Sequence, residues 1–390
     1  MAEKANNHWI PQHHLRLFSD GRRFIHLVSR DSSLIVEGAS VKNQCSRHKF
    51  YRDVETENRL QELETSHAGV YRAAQQIATG ARDEPLRTAE NSRLRHALLL
   101  QHARTPRYAQ VHAHAGDQMA LYTYHEHLSS LPPTPRVTAT MRAIEEGKAS
   151  LRGSKARSIA NGLDFAARLA PFVADLRLLI LHNQTDFPLV LGDAACLFCN
   201  QYMRDVDYVG VLGLSTRGLM ITMPIDSRSA VLLFDKAVYR AARYEYDRVD
   251  LADPHDVEML NALQVYGAQH CIYFADSSLS PRMQDFVVDR PPNRDDHRAS
   301  FDVLRPAGPM DGQSSRSELL HTFERQLPVC LDLSFITTRA RPPKLNIESP
   351  RRLKLFDNAE QNYAPHGLQP LGIDELVRWV ESELVVSDGT

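Results

Sequence analysis

Residues 176–183 read LRLLILHN, and residues 187–193 read FPLVLGD, with the polar turn QTD between them. Both runs are short, strongly apolar and bounded by turn residues. That length and content suit strands, because an apolar helix needs roughly ten residues or more to cover a face. The same signature returns in VGVLG (209–213), GLMITMPI (218–225) and AVLLFD (230–235). The spacing predicts a mostly antiparallel sheet through the middle of the chain. DPHDVEMLNALQVYGAQH (253–270) then predicts an amphipathic helix, and CIYFAD (271–276) a further strand.

Toward the N-terminus the period changes. In residues 56–79, Leu60, Leu63, His67, Val70, Ala74 and Ile77 recur at helical spacing. Residues 88–128 predict helix again, interrupted at Pro106, which lacks a backbone donor and clashes with the preceding turn. SSLPPTPRV (129–137) predicts a linking loop and residues 154–174 another helix. Earlier still, residues 22–37 predict a hairpin around the polar cluster SRDSS. Helices and strands segregate along the chain instead of alternating, so the expected class is α+β: a helical N-terminal half with a small hairpin, then a mostly antiparallel sheet region with flanking helices.

Beyond residue 276 the pattern weakens. Residues 277–315 are rich in Pro, Arg, Asp and Ser and predict a long or partly disordered loop. Residues 316–390 predict a mixed extension with one helix, GIDELVRWVESELV (372–385).

The 390 residues are 43% hydrophobic, enough for a sizeable core, and carry a formal net charge of -2. That balance excludes a globally basic nucleic-acid coat and leaves room for a local basic patch as the route to nucleic acid. No apolar run approaches the ~18 residues of a membrane span, and the N-terminus lacks the apolar core of a signal peptide. The expectation is a soluble, cytoplasmic protein with no membrane partner. Five scattered cysteines argue against a disulfide framework. Cys196 and Cys199 form a C-x-x-C without a second pair nearby, so they read as small buried thiols.

The N-terminal stretch NNHWIPQHHLRLF (6–18) holds three histidines around one proline. Pro11 suits the start of a short helix, and Trp9, Leu15 and Phe18 read as packing anchors. His13 and His14 are about 100° apart on such a helix and read as surface residues. His8 has the chemistry of a metal ligand or a general acid–base near neutral pH. Glu57 and Glu64, one heptad apart, share a side of their helix; both, with Glu62, read first as a solvated face, and Glu64 borders the apolar stripe. Gln101 and Arg104 share a helix face just before the proline stop, and Arg104 suits a carboxylate or a phosphate. Asp193 ends an apolar strand beside a turn, a position that serves catalysis, metal binding or the turn itself. The pairs His112/His114 and His125/His127 lie two residues apart on a helical pattern and point ~200° apart, so neither pair can hold one zinc ion. H-E-x-x-H, G-x-S-x-G and a glycine-rich phosphate loop are absent from the sequence.

The order of several motifs resembles a largely bacterial, uncharacterised family, domain of unknown function 4238. NHWIPQHHLRLFS is similar to its opening Asn-His-aromatic-x-Pro-Gln and Leu-Arg-x-Phe elements. HKFYRDVETENRLQELE resembles its Phe-Tyr segment and Glu-containing helix, and LLLQHARTPRY its Gln-x-x-Arg-Thr-Pro helix end. LVLGDAACLF resembles its strand followed by Ser-Asp-x-Pro, with Gly192-Asp193-Ala194-Ala195 in this chain, and GLMITMPIDSRSAVLLFD its following strand pair. The resemblance implies one domain over residues 1–276 and supplies candidate residues without a reaction.

The leading expectation is a metal-assisted hydrolase of phosphodiesters, of nuclease type. Asp193 and Glu64 would hold a divalent cation, Mg or Mn. His8 would act as general base or ligand, and Arg104 would steady the charge growing on phosphoryl oxygens. The alternative is a non-catalytic binding or structural module, in which the same four residues form a buried polar network. An open cleft faced by carboxylates favours the first, and a closed, fully paired network the second.

Overall fold

The computed structural model describes residues 6–19, 21, 23–48, 50–51, 54–152, 154–205, 210–242, 244–291, 300–304, 319–339, 348–354 and 373–387. Its centre is a five-stranded sheet of β6 (Arg177–Asn183), β8 (Leu197–Cys199), β9 (Met220–Pro224), β10 (Ser229–Phe234) and β12 (Arg248–Leu251), in the order β12–β6–β10–β9–β8. The neighbours are antiparallel except β12, which runs parallel to β6.

The unbroken apolar run of β6 has a direct cause. Successive side chains of a strand face opposite sides, and this sheet is covered on both. Leu178 and Ile180 join one core cluster with Val231, Leu233, Ile221 and Met223. Leu179 and Leu181 join a second cluster with Leu232, Phe234 and Leu263. A sheet with one wet face would show polar residues at alternate positions.

The helices α2 (Val54–Ala78) and α3 (Thr88–Ala103) cover the first face, α2 against β6, β10 and β12 and α3 against β9. Leu60, His67, Val70, Ala74 and Ile77 of the expected stripe are buried. The predicted break after α3 is present: Thr105 caps α4 (Pro106–Ser129), its hydroxyl accepting from Tyr108 N at 3.2 Å, and Pro106 stands in the first turn. Proline fits there because the first turn's N–H groups have no helical acceptor. The helix α6 (Ser154–Leu169) packs on α3 and α4.

A second sheet has the order β3–β2–β13–β7, built from the hairpin β2 (Phe24–Ser29) and β3 (Ile35–Ser40), with β13 (Cys271–Phe274) and β7 (Leu191–Gly192). The helix α7 (Pro254–Gly267) crosses β7 so closely that a Cβ at Gly192 would stand 2.8 Å from Gln264 O. The N-terminus enters as β1 (Asn6–His8), paired with β4 (Ser46–His48), and continues after Pro11 as the short α1 (Gln12–Leu15).

Several expectations change. VGVLG is not a strand: residues 210–213 form turns, and Val209 lies outside the described residues. The linker at 129–137 gives way to α5 (Pro135–Glu145), whose Thr134 cap accepts from Val137 N. Within 277–315, residues Ser280–Val288 form α8 and Ser300–Leu304 form a strand, β14. Residues 292–299 and 305–315 of that segment lie outside the described residues. The strand β14 pairs with β15 (Leu319–Phe323). The C-terminal helix α9 (Ile373–Glu383) forms as the pattern predicts. Cys196 and Cys199 are buried free thiols, as the sequence suggests. Among the described residues no helix is long and apolar enough to cross a membrane.

Candidate functional site

The opening motif is gripped at the backbone of His8 and Trp9. The carbonyl of His8 accepts from Arg104 Nη2 at 2.6 Å and from the Tyr51 hydroxyl at 3.1 Å. The carbonyl of Trp9 accepts from Gln101 Nε2 at 2.8 Å, and its N–H donates to Cys45 O at 2.9 Å. Gln101 and Arg104 lie three residues apart, so both side chains leave α3 on one side and take two consecutive carbonyls. The two sequence motifs with the clearest family character are thus the two halves of one clasp.

Arg104 is spent within this clasp. Its Nε donates to the Tyr51 hydroxyl at 3.0 Å, and Nη2 also lies 2.8 Å from Glu64 Oε1. The guanidinium is only 2% exposed, so a substrate cannot reach it. Burial alone would push the Arg104 pKa down, but Tyr51 and Glu64 outweigh it and the arginine is held charged. Burial also pushes the Tyr51 hydroxyl up to about 12, which keeps it a donor. Arg104 therefore positions Glu64 and the backbone of His8 and does not touch a reacting group.

Over this clasp lies an open groove of about 980 Å³, between the N-terminal segment and α2. His8, His13, Glu57 and Glu64 line it, and the exposed Arg16, Lys42 and Arg72 bring positive charge to its walls. His8 Nε2 lies 2.9 Å from Lys42 O. A carbonyl only accepts, so Nε2 carries the ring proton and Nδ1 keeps its lone pair. Burial lowers the pKa of His8, against the pull of Lys42 O, Glu64 and Glu57, which favours the neutral ring. His13 is pushed down to about 4, first by burial and then by Arg104 and Arg16. Two shielded atoms of groove residues, Glu57 Oε2 and His13 Nε2, have no hydrogen-bond partner among the described residues.

Asp193 has a different task. Its Oδ1 accepts from Gln269 N at 2.7 Å and its Oδ2 from His270 N at 2.9 Å, where the chain turns from α7 into β13. Its carbonyl accepts from the Trp9 indole at 3.2 Å. Burial raises the Asp193 pKa against those amide bonds. The carboxylate is not part of the groove wall. The expected pairing of Glu64 with Asp193 around one cation is therefore not assembled: one is held by an arginine and the other by backbone amides.

The chain matches the model of a family described as "Protein of unknown function (DUF4238)" over residues 6–278, more than half its length. It belongs to that family. The match begins at β1 of the clasp and ends shortly after β13, so all four expected site residues fall within it. No curated protein and no solved structure matches this DUF4238 chain.

Two groove residues of the DUF4238 domain escaped the sequence reading. Glu57 looks like solvated helix surface in sequence, yet it faces the groove. His13 and His14 read as surface; His14 is fully buried and its Nε2 donates to Pro224 O at 2.8 Å. Tyr71 of α2 packs against both rings, at 5.7 Å for His13 and 5.2 Å for His14. A four-residue helix cannot bury a stripe alone, and only its docking on α2 and β9 decides which side is inside.

Proposed function

We propose that this DUF4238 protein hydrolyses phosphodiesters in the groove above the N-terminal clasp, in the manner of a nuclease. The observation that carries the reading is the grouping in one open groove of a histidine with a free Nδ1, two carboxylates and three exposed cations, Arg16, Lys42 and Arg72. The cations receive the phosphate charge and give the local basic patch through which a nucleic acid would bind. His8 Nδ1 takes the proton of the attacking water as its oxygen bonds to phosphorus, the P–O ester bond to the leaving group breaks, and the leaving alkoxide takes a proton from solvent water. Mg or Mn would be held by Glu57 and the substrate phosphate, since magnesium sites commonly use one or two carboxylates with phosphate oxygens. Glu64, fixed by Arg104, faces the same space.

The test is cleavage of single- and double-stranded DNA and RNA by the full chain with Mg or Mn, and with EDTA. Cleavage that needs the metal and is lost in folded His8→Ala and Glu57→Gln supports the reading. A wild-type protein inert on every substrate overturns it.

A second reading, a non-catalytic module, is favoured by the clasp itself. Arg104 spends its charge on Glu64, Tyr51 and His8 O, as a purely structural network would. Under that reading the groove receives an anionic partner without turning it over.

A further inference from the structure

Around the α3–α4 break, away from the groove lining, two histidines and a glutamate converge. His102 is near the end of α3, His112 lies in the second turn of α4, and Glu324 directly follows β15. One ligand atom from each lies within 4.8 Å of the others, and no other such group occurs among the described residues. We propose that His102, His112 and Glu324 form a site for a divalent first-row transition metal, with zinc the best match. Two imidazole nitrogens and one carboxylate oxygen suit that class of ion and leave a fourth position of a tetrahedron for water.

The surroundings are those of a metal-binding histidine. His102 Nδ1 lies 3.1 Å from Cys196 O. The carbonyl fixes the proton on Nδ1 and leaves Nε2 with its lone pair, the arrangement that orients ligand imidazoles. Phe198 stacks on the same ring at 4.0 Å and 11°, and Tyr108 meets its edge. The tilted Tyr108 ring also packs on His112 at 4.1 Å. Arg107 Nη2 lies 2.7 Å from Glu324 Oε1. A carboxylate has two oxygens, so it can hold the arginine and a metal together, and Arg107 orients it. All three side chains are largely but not fully buried, with 11% of the Glu324 side chain exposed.

His114 is not the partner of His112, because α4 turns the two apart and leaves His114 exposed. The partner of His112 is instead His102, brought near by the break at Pro106. Glu324 lies beyond the family-matched residues 6–278, so the ion would tie the C-terminal extension to the DUF4238 domain.

The test is multi-element analysis of the purified full chain, followed by titration of the EDTA-stripped protein with zinc chloride in a calorimeter. About one metal per chain is expected. His112→Ala and Glu324→Gln should each weaken zinc binding by more than about 100-fold, beyond the 10–100-fold that supporting residues cost. His114→Ala should bind as wild type. Circular dichroism of the metal-free variants checks folding; should His112→Ala fail to fold, near-isosteric Glu324→Gln decides. X-ray absorption of the loaded wild type should count two imidazoles. No saturable binding by the wild type overturns the site, as does binding that survives Glu324→Gln or is lost with His114→Ala. The site shares no residue with the proposed hydrolytic groove, so either can fail alone.

Discussion

Arg104 and Arg107 stand three residues apart, one on each side of the α3–α4 break, and both are buried. Arg104 reaches toward the N-terminus and closes the clasp on His8. Arg107 reaches a carboxylate 217 residues later in the chain, Glu324. A buried guanidinium must be paired, so each arginine marks where some other part of the chain has to come. The partners of Arg104 are Tyr51, Glu64 and the His8 carbonyl, all inside the family-matched span. Glu324 lies outside it. One junction thus holds the domain together on one side and fastens the extension on the other.

Replacing each arginine tests that division most strongly. Arg104→Met leaves Glu64, Tyr51 and a backbone carbonyl without their cation and should cost roughly 3–5 kcal/mol in urea unfolding. A loss under about 1 kcal/mol would mean that the clasp does not hold the domain. Asp193→Ala strips two part-buried amides of their acceptor and removes a buried carboxylate. It should cost about 3 kcal/mol, and neither Mg nor Mn should restore it, as expected of a structural carboxylate. For the outer arginine, a double-mutant cycle of Arg107→Met and Glu324→Gln should give a coupling of roughly 1–3 kcal/mol. Additive effects there would leave the extension undocked.

The remaining predictions sharpen the contrast between clasp and groove. Burial holds His14 down to about 3, from an ordinary value of 6.5. The unfolded chain takes up that proton below about 6.5 while the folded one does not. Stability is therefore fully present above that pH and is lost as the pH falls toward 3. The slope is about 1.4 kcal/mol per pH unit for one such group, and His14→Gln should flatten the curve by that amount. His8→Ala should change stability least, within about 1 kcal/mol, because the clasp uses its carbonyl and not its ring. The same variant should abolish phosphodiester cleavage, and melting and activity should separate cleanly.

The legible part of the fold is the part built from local pattern. The stripe from Leu60 to Ile77, the break at Pro106 and the strand at LRLLILHN all follow from spacing and from one missing N–H. Of the site, His8, Glu64 and Arg104 could be named from their types and the order of their motifs, and they do meet. Asp193 was legible as a strand-end carboxylate, but not its partners, because the amides of Gln269 and His270 reach it only when α7 crosses β7 at Gly192. VGVLG misled because apolar content alone does not distinguish a strand from a buried turn.

What the sequence by itself determined is the class of the fold, the breaks between its elements and the residues that cannot be left unpaired. These are properties of neighbours along the chain, set by periodicity, proline and buried charge. What only the tertiary structure decided is which face of α1 is inside, which carboxylates look into the groove and which histidine meets His112. Those depend on distances between segments as far apart as residues 102 and 324. Periodicity does not carry such distances, because each is fixed by the packing of several elements at once.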